Sequence, residues 1–345
     1  MKLNPENELP GRDILIDATN GEMIANISHR IEIDAPKMSR PAFTTLNLNQ
    51  LKKVAPVDVY DAADISANEV VNLSRFDKVI SKNRVSGTVD SSAVRAYSNA
   101  RKVLTYFLRT HGRNSFDDNG ATAVNIVHFG RNMANAFWDG DQKVMAYGDG
   151  DGRLLRDLTY GLDVAGHEMT HAVISNTSQL LYFGESGALN ESYADFFGEM
   201  IENKANWVMG QSIFVDSAQS KHGIRDLKDP HALTATYYDD SFRPVTKAYP
   251  AHVTEAFKAS GGCWAGNDLC FVHINSTIPS HAAYKVSEAI GKSKTEKLWY
   301  IVLTHYLTPR SGFKAMKSAT MQACAMLYDS ETCAKVSDAF ADVGL

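Results

Sequence analysis

His167-Glu168-Met169-Thr170-His171 sets two histidines four residues apart, with a glutamate directly after the first. On an α-helix that spacing puts both imidazoles on one face, one turn apart, where together they can grip one metal ion. Glu168 then sits beside the metal without being forced onto it, which is the place for a base acting on water that the metal polarises. Histidine is 11 of 345 residues, so the pentapeptide alone is weak evidence, and a helix with two solvated or hydrogen-bonded histidines would read the same. The neighbours decide. Glu191, twenty residues beyond His171 within Gly187-Ala188-Leu189-Asn190-Glu191-Ser192-Tyr193-Ala194-Asp195, supplies a third ligand of suitable kind. Two His and one Glu leave a fourth tetrahedral position open, as a hydrolytic zinc requires. Asp195, one turn after Glu191, can accept the other ring N–H of a ligand histidine and fix its tautomer. A solvated acidic helix face is the bland alternative for both carboxylates.

The elements that must position these residues are legible in outline. After Asp163 the pattern is helical over 163–176, 187–202, 281–291, 294–307, 312–328 and 331–340, and it is preceded by an amphipathic surface helix over 91–110. Strand-like runs occur at 123–129 and 144–147, the second leading into the turn-rich acidic loop Gly148-Asp149-Gly150-Asp151-Gly152. Near the start, Asp13-Ile14-Leu15-Ile16-Asp17 and Glu22 to Ile27 flank Asn20-Gly21 and predict a hairpin. Pro36, Pro41 and Pro56 punctuate an aperiodic stretch that suits a linker, with a boundary within 36–55. The expected organisation is therefore residues 1–45 as a separate N-terminal segment, 46–175 as a β-rich lobe that ends with the metal-binding helix, and 176–345 as an α-rich lobe.

Composition bounds the function. Hydrophobic residues are 44% and charged residues 22%, ordinary for a globular chain, and a net charge of −5 offers no general attraction to phosphate backbones or anionic membranes. Neither nucleic acid nor membrane is an expected partner, and no window is long and apolar enough to span a bilayer. The four cysteines lie as Cys263 with Cys270 and Cys324 with Cys333. Each pair could close a small loop in an oxidising compartment, with buried free thiols as the alternative.

These residues resemble the thermolysin family of zinc metalloproteases, including its pseudolysin-like secreted bacterial members. The resemblance is carried in order by Asn135-Ala136-Phe137-Trp138, Tyr147 to Gly152, His167 to His171, Glu185-Ser186-Gly187-Ala188-Leu189-Asn190-Glu191 and Val272-His273-Ile274-Asn275-Ser276, and it covers residues 60–345. It implies an α+β zincin with the active-site helix between a β-rich N-terminal lobe and an α-helical C-terminal lobe, acting as a secreted endopeptidase. Position by position it implies His167, His171 and Glu191 as ligands of one zinc and Glu168 as general base. Tyr182 and His273 are the implied oxyanion donors, with Asp268 keeping the imidazole of His273 oriented and cationic. Without the resemblance, Tyr182 would be read as a core tyrosine and His273 as a structural histidine.

The resemblance further implies that Arg225 holds the carbonyl after the scissile bond and that Asn135 and Ala136 form an edge that pairs with substrate backbone. Val164, Met209, Ile213 and Ile224 are implied as an apolar pocket, giving cleavage on the N-terminal side of bulky hydrophobic residues; core packing is their alternative role. Asp163, Glu199 and Glu202, with Asn206 and the Val208 carbonyl, match a calcium site. Because Asn206, Val208 and Gln211 stand where thermolysin has acidic residues, one calcium is expected rather than two. Asp17-Ala18-Thr19-Asn20-Gly21 resembles the hairpin at the end of a family prosegment, so the expected partners are protein and peptide substrates and the chain's own prosegment, with the enzyme a monomer. An intracellular relative with a short prosegment competes with this reading and fits the four cysteines less well. A catalytically dead binding module would need a lost ligand or base, and none is missing; an exopeptidase would need a grip on a free terminus.

Overall fold

The computed structural model describes residues 53–63, 71–85, 89–238, 243–259 and 262–345, together with the backbone of two N-terminal strands. Those strands, β1 (Gly11–Ile16) and β2 (Met23–His29), pair antiparallel, as the apolar runs around Asn20-Gly21 predict; the turn itself and most of the expected linker lie outside the described residues. A mixed six-stranded sheet follows, built from β3 (Val57–Asp61), β4 (Asp77–Ser81), β5 (Arg84–Val85), β6 (Ala123–Val127), β7 (Ala136–Asp139) and β8 (Val144–Tyr147) in the order β5-β4-β3-β6-β8-β7. β3, β6 and β8 run parallel and the outer strands are antiparallel, so among the described residues β7 is an edge that pairs only with β8.

Alternation along the strands buries both faces of the sheet. Met145, Tyr147, Ala136 and Trp138 enter the main core, which continues through the helices, while Val144, Ala146, Phe137 and Ile126 pack with Phe76, Phe129 and Met133 on the other side. The main core receives α1 (Ser91–His111), whose buried stripe Ala93, Ala96, Ala100, Val103, Leu104 and Phe107 has helical spacing. Asp90 caps its first turn, accepting from the Ala93 N–H at 2.8 Å, and Gly112 ends it in the left-handed conformation.

Two central helices carry the chemistry-bearing residues, α2 (Leu162–Ser175) and α3 (Gly184–Glu202), and both are buried along almost their whole length. Beyond them come β9 (Val208–Met209), β10 (Arg225–Asp226) and a hairpin of β11 (Thr234–Tyr238) with β12 (Pro244–Ala248) that the sequence reading did not foresee. The rest is helical: α4 (Asp268–Asn275), α5 (Thr277–Ile290), α6 (Lys292–His305), α7 (Phe313–Leu327) and α8 (Ser330–Ala341). α4 was also missed, being short and irregular; the other helices lie within a few residues of their expected limits. Both cysteine pairs are disulfides, Cys263–Cys270 and Cys324–Cys333. Among the described residues no helix is long and apolar enough to cross a membrane.

Candidate metal centre and cleft

α2 and α3 pack against each other with unusually little between them. A Cβ on Gly166 would sit 3.1 Å from the Gly198 Cα, and one on Gly198 would sit 2.7 Å from the Asp163 carbonyl oxygen, so two glycines set the separation. The helices run in opposite directions, and each step of four residues along one matches a step of four back along the other. His171 thus faces Glu191, His167 faces Asp195 and Glu191, and Asp163 lies near Glu199 and Glu202.

The donor atoms of His167, His171 and Glu191 all lie within 4.8 Å of one another, the only such His, Cys, Asp or Glu group among the described residues. His167 Nε2 is 3.0 Å from His171 Nε2 and 3.5 Å from Glu191 Oε2, and His171 Nε2 is 3.4 Å from Glu191 Oε1. Tetrahedral ligands at zinc's usual bond lengths are about 3.3 Å apart, so the triangle has the size the ion needs.

The tautomers point the same way. Asp195 Oδ1 can only accept, so His167 donates its Nδ1–H to it at 2.9 Å. Asn190 donates its amide to the Leu180 carbonyl at 3.0 Å, which turns Oδ1 toward His171 Nδ1 at 2.8 Å. With Nδ1–H committed on both rings, the two Nε2 lone pairs aim at one point beside a buried carboxylate, and Glu191 Oε2 has no hydrogen-bond donor of its own. That arrangement repels itself unless a cation sits among the three, so the donor set fits zinc. The charges agree. Burial opposes ionisation of Glu191, but the cations beside it, His273 foremost and Arg225 after it, hold the carboxyl below its ordinary range.

Glu168 is buried, 6% exposed, and lines the cleft with the three donors. Tyr182, on the segment joining α2 to α3, donates its hydroxyl to Glu191 Oε1 and lies 3.0 Å from His273 Nε2. His273 holds Asp268 through its ring Nδ1 at 2.6 Å and its backbone N–H at 2.9 Å. Burial alone would lower this imidazole's pKa, but Asp268 and Glu191 raise it to about 10, leaving a cationic ring with Nε2–H facing the cleft.

Arg225, placed by the β9–β10 pair, is buried. Its Nε and Nη2 donate to Asp195 Oδ2 and Oδ1 at 2.6 and 2.7 Å, so one carboxylate braces both His167 and the guanidinium. Asn135 and Ala136 lie at the start of edge strand β7, and with Val164, Met209, Ile213 and Ile224 they line the same cleft, whose cavity measures about 160 Å³. Sequence reasoning missed Leu155, Leu158 and Leu269 on its wall and Asn190 behind His171. The apolar leucines sit in irregular segments without periodicity; the one available signal for Asn190 was its place beside Glu191.

The proposed calcium residues form a second acidic group. Asp163 and Glu199 are almost fully buried, Glu199 Oε2 and Glu202 Oε2 lack partners, and Lys204 pairs with Glu202 Oε1 at 2.7 Å. Burial first, then Glu202 and Asp163, push the Glu199 pKa up to about 7. The Asn206 amide faces Gln211 Oε1 at 2.5 Å, and Val208 lies in β9. Such crowded, underpartnered oxygens suit a hard cation, although they do not converge as tightly as the zinc donors.

Comparison with known proteins gives a consistent result. Residues 27–175 match the family model described as "Thermolysin metallopeptidase, catalytic domain" and residues 178–345 match "Thermolysin metallopeptidase, alpha-helical domain". A bacillolysin of Brevibacillus brevis is 40% identical over 253 residues, covering 70% of this chain and 44% of its own length. A bacillolysin of Bacillus subtilis (strain 168) is 34% identical, covering 99% and 63%, so this chain spans roughly half to two thirds of these two relatives. The neutral protease NprE of Bacillus pumilus is 37% identical over 298 residues, 83% of this chain and 92% of its own. Among solved structures, the precursor of protealysin, a metalloproteinase from Serratia proteamaculans, matches with a TM-score of 0.70 at 28% identity over 87% of this chain and 91% of that one.

Proposed function

The chain belongs to the thermolysin family of metallopeptidases, and from that premise we propose that it is a secreted, zinc-dependent endopeptidase cleaving before bulky hydrophobic residues. The observation that carries the proposal is the convergence of two imidazole Nε2 atoms and a buried carboxylate at the floor of a cleft that an edge strand borders. His167, His171 and Glu191 would hold zinc, which supplies a Lewis acid that acidifies water near neutral pH. Glu168 takes the proton from the attacking water and delivers it to the leaving amine. His273 Nε2–H and the Tyr182 hydroxyl donate to the oxygen on which negative charge develops. Asp268 keeps the imidazole of His273 charged and aimed.

Substrate pairs its backbone with Asn135 and Ala136, and Arg225 donates to the carbonyl after the scissile bond while bracing Asp195. The following side chain enters the pocket of Val164, Met209, Ile213 and Ile224, joined by Leu155 and Leu158. We place one calcium at Asp163, Glu199 and Glu202 with Asn206 and the Val208 carbonyl. Residues 1–45 are assigned to a prosegment, 46–175 to the catalytic lobe with the zinc helix, and 176–345 to the helical lobe, with the enzyme a monomer. Two disulfides favour an oxidising compartment.

Cleavage of a mixed peptide library with zinc-loaded protein should give internal cuts before Leu, Phe or Ile, silenced by phenanthroline. Glu168→Gln should retain about one zinc per chain and lose activity by ~10²–10⁴-fold. Retained activity in that variant, or release of terminal residues only, would refute the reading.

A further inference from the structure

We propose that the Cys263–Cys270 disulfide and the buried ring of Phe271 are positioning elements for His273, holding residues 268–271 in a left-handed turn that keeps Asp268 on both the ring and the backbone of that histidine. The proposal rests on reading the cleft as a peptidase centre, and it concerns the part of the cleft wall that lies outside the zinc ligands.

The observation is the backbone itself. Asp268 (φ 51, ψ 44), Leu269 (φ 49, ψ 45), Cys270 (φ 73, ψ 42) and Phe271 (φ 62, ψ 44) are four consecutive left-handed residues, none of them glycine. For an L-residue this region pushes Cβ against the carbonyl oxygen; single residues visit it, but a run of four persists only where the surroundings impose it. Three sets of contacts do so here.

Cys270 is bonded to Cys263 across the loop. Phe271, 4% exposed, packs its ring 5.3 Å from Tyr237 on β11 and 5.5 Å from Phe257, whose backbone N–H and carbonyl are both held by the Asn275 side chain at 2.8 and 3.0 Å. Between these anchors, Asn267 Oδ1 accepts from the N–H groups of Trp264 and Cys270 at 2.9 and 3.0 Å, and the Leu269 N–H donates to the Trp264 carbonyl at 3.0 Å.

The purpose of the turn is visible at its end. Reversing the helical hand between Asp268 and Val272 folds the carboxylate back so that Oδ2 accepts the His273 N–H and Oδ1 the ring Nδ1–H. The same curl sets Leu269 on the cleft wall beside His273. A right-handed relaxation of residues 269–271 would carry Asp268 away and let the imidazole turn, leaving Nε2 off the line it now shares with the Tyr182 hydroxyl at 3.0 Å. Cys263, Cys270 and Phe271 touch no reacting atom, so their effect passes through Asp268 and His273.

The test uses the zinc-loaded full chain and reads kcat and KM on a quenched-fluorescence peptide, zinc content, Tm, and the downfield NMR signal of the His273 Nδ1–H, assigned by its absence in His273→Ala. Cys263→Ala/Cys270→Ala should lower kcat by ~10- to 100-fold with KM nearly unchanged, a loss on the scale of a small misplacement of a catalytic group, and should broaden or abolish the signal. Cys263→Ala/Cys270→Gly should recover most of both, because glycine adopts this φ without a tether. Cys324→Ala/Cys333→Ala, which removes the disulfide joining α7 to α8, should lower Tm and leave kcat and the signal as in wild type.

If the first variant does not fold, phosphine reduction of Cys324→Ala/Cys333→Ala, where only Cys263–Cys270 remains to be opened, must produce the same loss. A wild-type kcat and signal after that disulfide is removed or reduced, or no recovery with glycine, would overturn the proposal. A wild-type chain that cleaves no peptide would refute the peptidase reading instead, and the NMR signal would still decide the positioning role.

Discussion

Two hydrogen bonds decide which nitrogen of each histidine faces the cleft, and neither belongs to a ligand. Asp195 and Asn190 take the Nδ1–H of His167 and His171 and so turn both Nε2 atoms toward the cleft. Asn190→Ala removes the tautomer lock on His171 alone, so zinc affinity measured against a competing chelator should fall by ~10- to 100-fold while the fold persists. An equal affinity would show that ring packing against Tyr182 suffices to hold His171. At this scale the sequence announced residues with strong type and spacing, His167, Glu168 and His171. It was silent on Asn190, Leu155 and Leu158, because a single amide beside a ligand and leucines in an irregular loop leave no periodic trace.

Helix packing converts those residues into a site. The direct contact of α2 with α3 through Gly166 and Gly198 brings Glu191 within reach of both histidines. Gly198→Ala would drive a methyl to 2.7 Å from the Asp163 carbonyl oxygen. Urea unfolding should report a loss of about 1–3 kcal/mol, and zinc content should drop as the helices separate; an unchanged protein would mean that the crossing is loose. The start of α1 is secured differently. His128 Nε2 meets Asp90, the cap of α1, at 2.5 Å, and Nδ1 meets Asp149 in the glycine-rich loop at 2.8 Å.

Asp149 first, and then Asp90, outweigh partial burial and raise the His128 pKa to about 9, above the 6.5 it would have unfolded. Between those values the folded chain binds the extra proton, so this contribution is complete below about pH 6.5 and is lost as pH rises through about 9. The group is partly solvent-screened, so the effect is on the order of 1 kcal/mol. His128→Gln should flatten the fall of Tm over that interval; the same slope in wild type and variant would remove His128 as its source. The helices were legible from their 3.6-residue pattern, whereas the β11–β12 hairpin and α4 were not, since short, only partly buried strands with many small and polar residues and a left-handed turn carry no comparable signature.

At the scale of the whole molecule, the cleft exists because the sheet lobe, ending in α2, meets the helical lobe, beginning with α3, along one continuous core. The acidic group at Asp163, Glu199 and Glu202 joins the start of α2 to the end of α3. Millimolar calcium should therefore raise the Tm of wild type by several degrees, through preferential binding to the folded chain, and should not raise that of Glu199→Gln. If calcium is not bound there, Glu199→Gln should instead be neutral or stabilising without calcium and no less responsive to it, because the carboxyl is strained toward its neutral form.

The sequence alone supplied the residue types of the candidate ligands and of the candidate base, the order of β-rich and helical parts and the local pairing open to the cysteines, because each depends on residue identity and short spacing. Only the tertiary structure decided that Arg225 is buried on Asp195, that Asn190 meets His171 Nδ1, and that a left-handed turn brings Asp268 onto His273. Those facts depend on distances between segments far apart in the chain, and such distances are set by packing rather than by any local pattern.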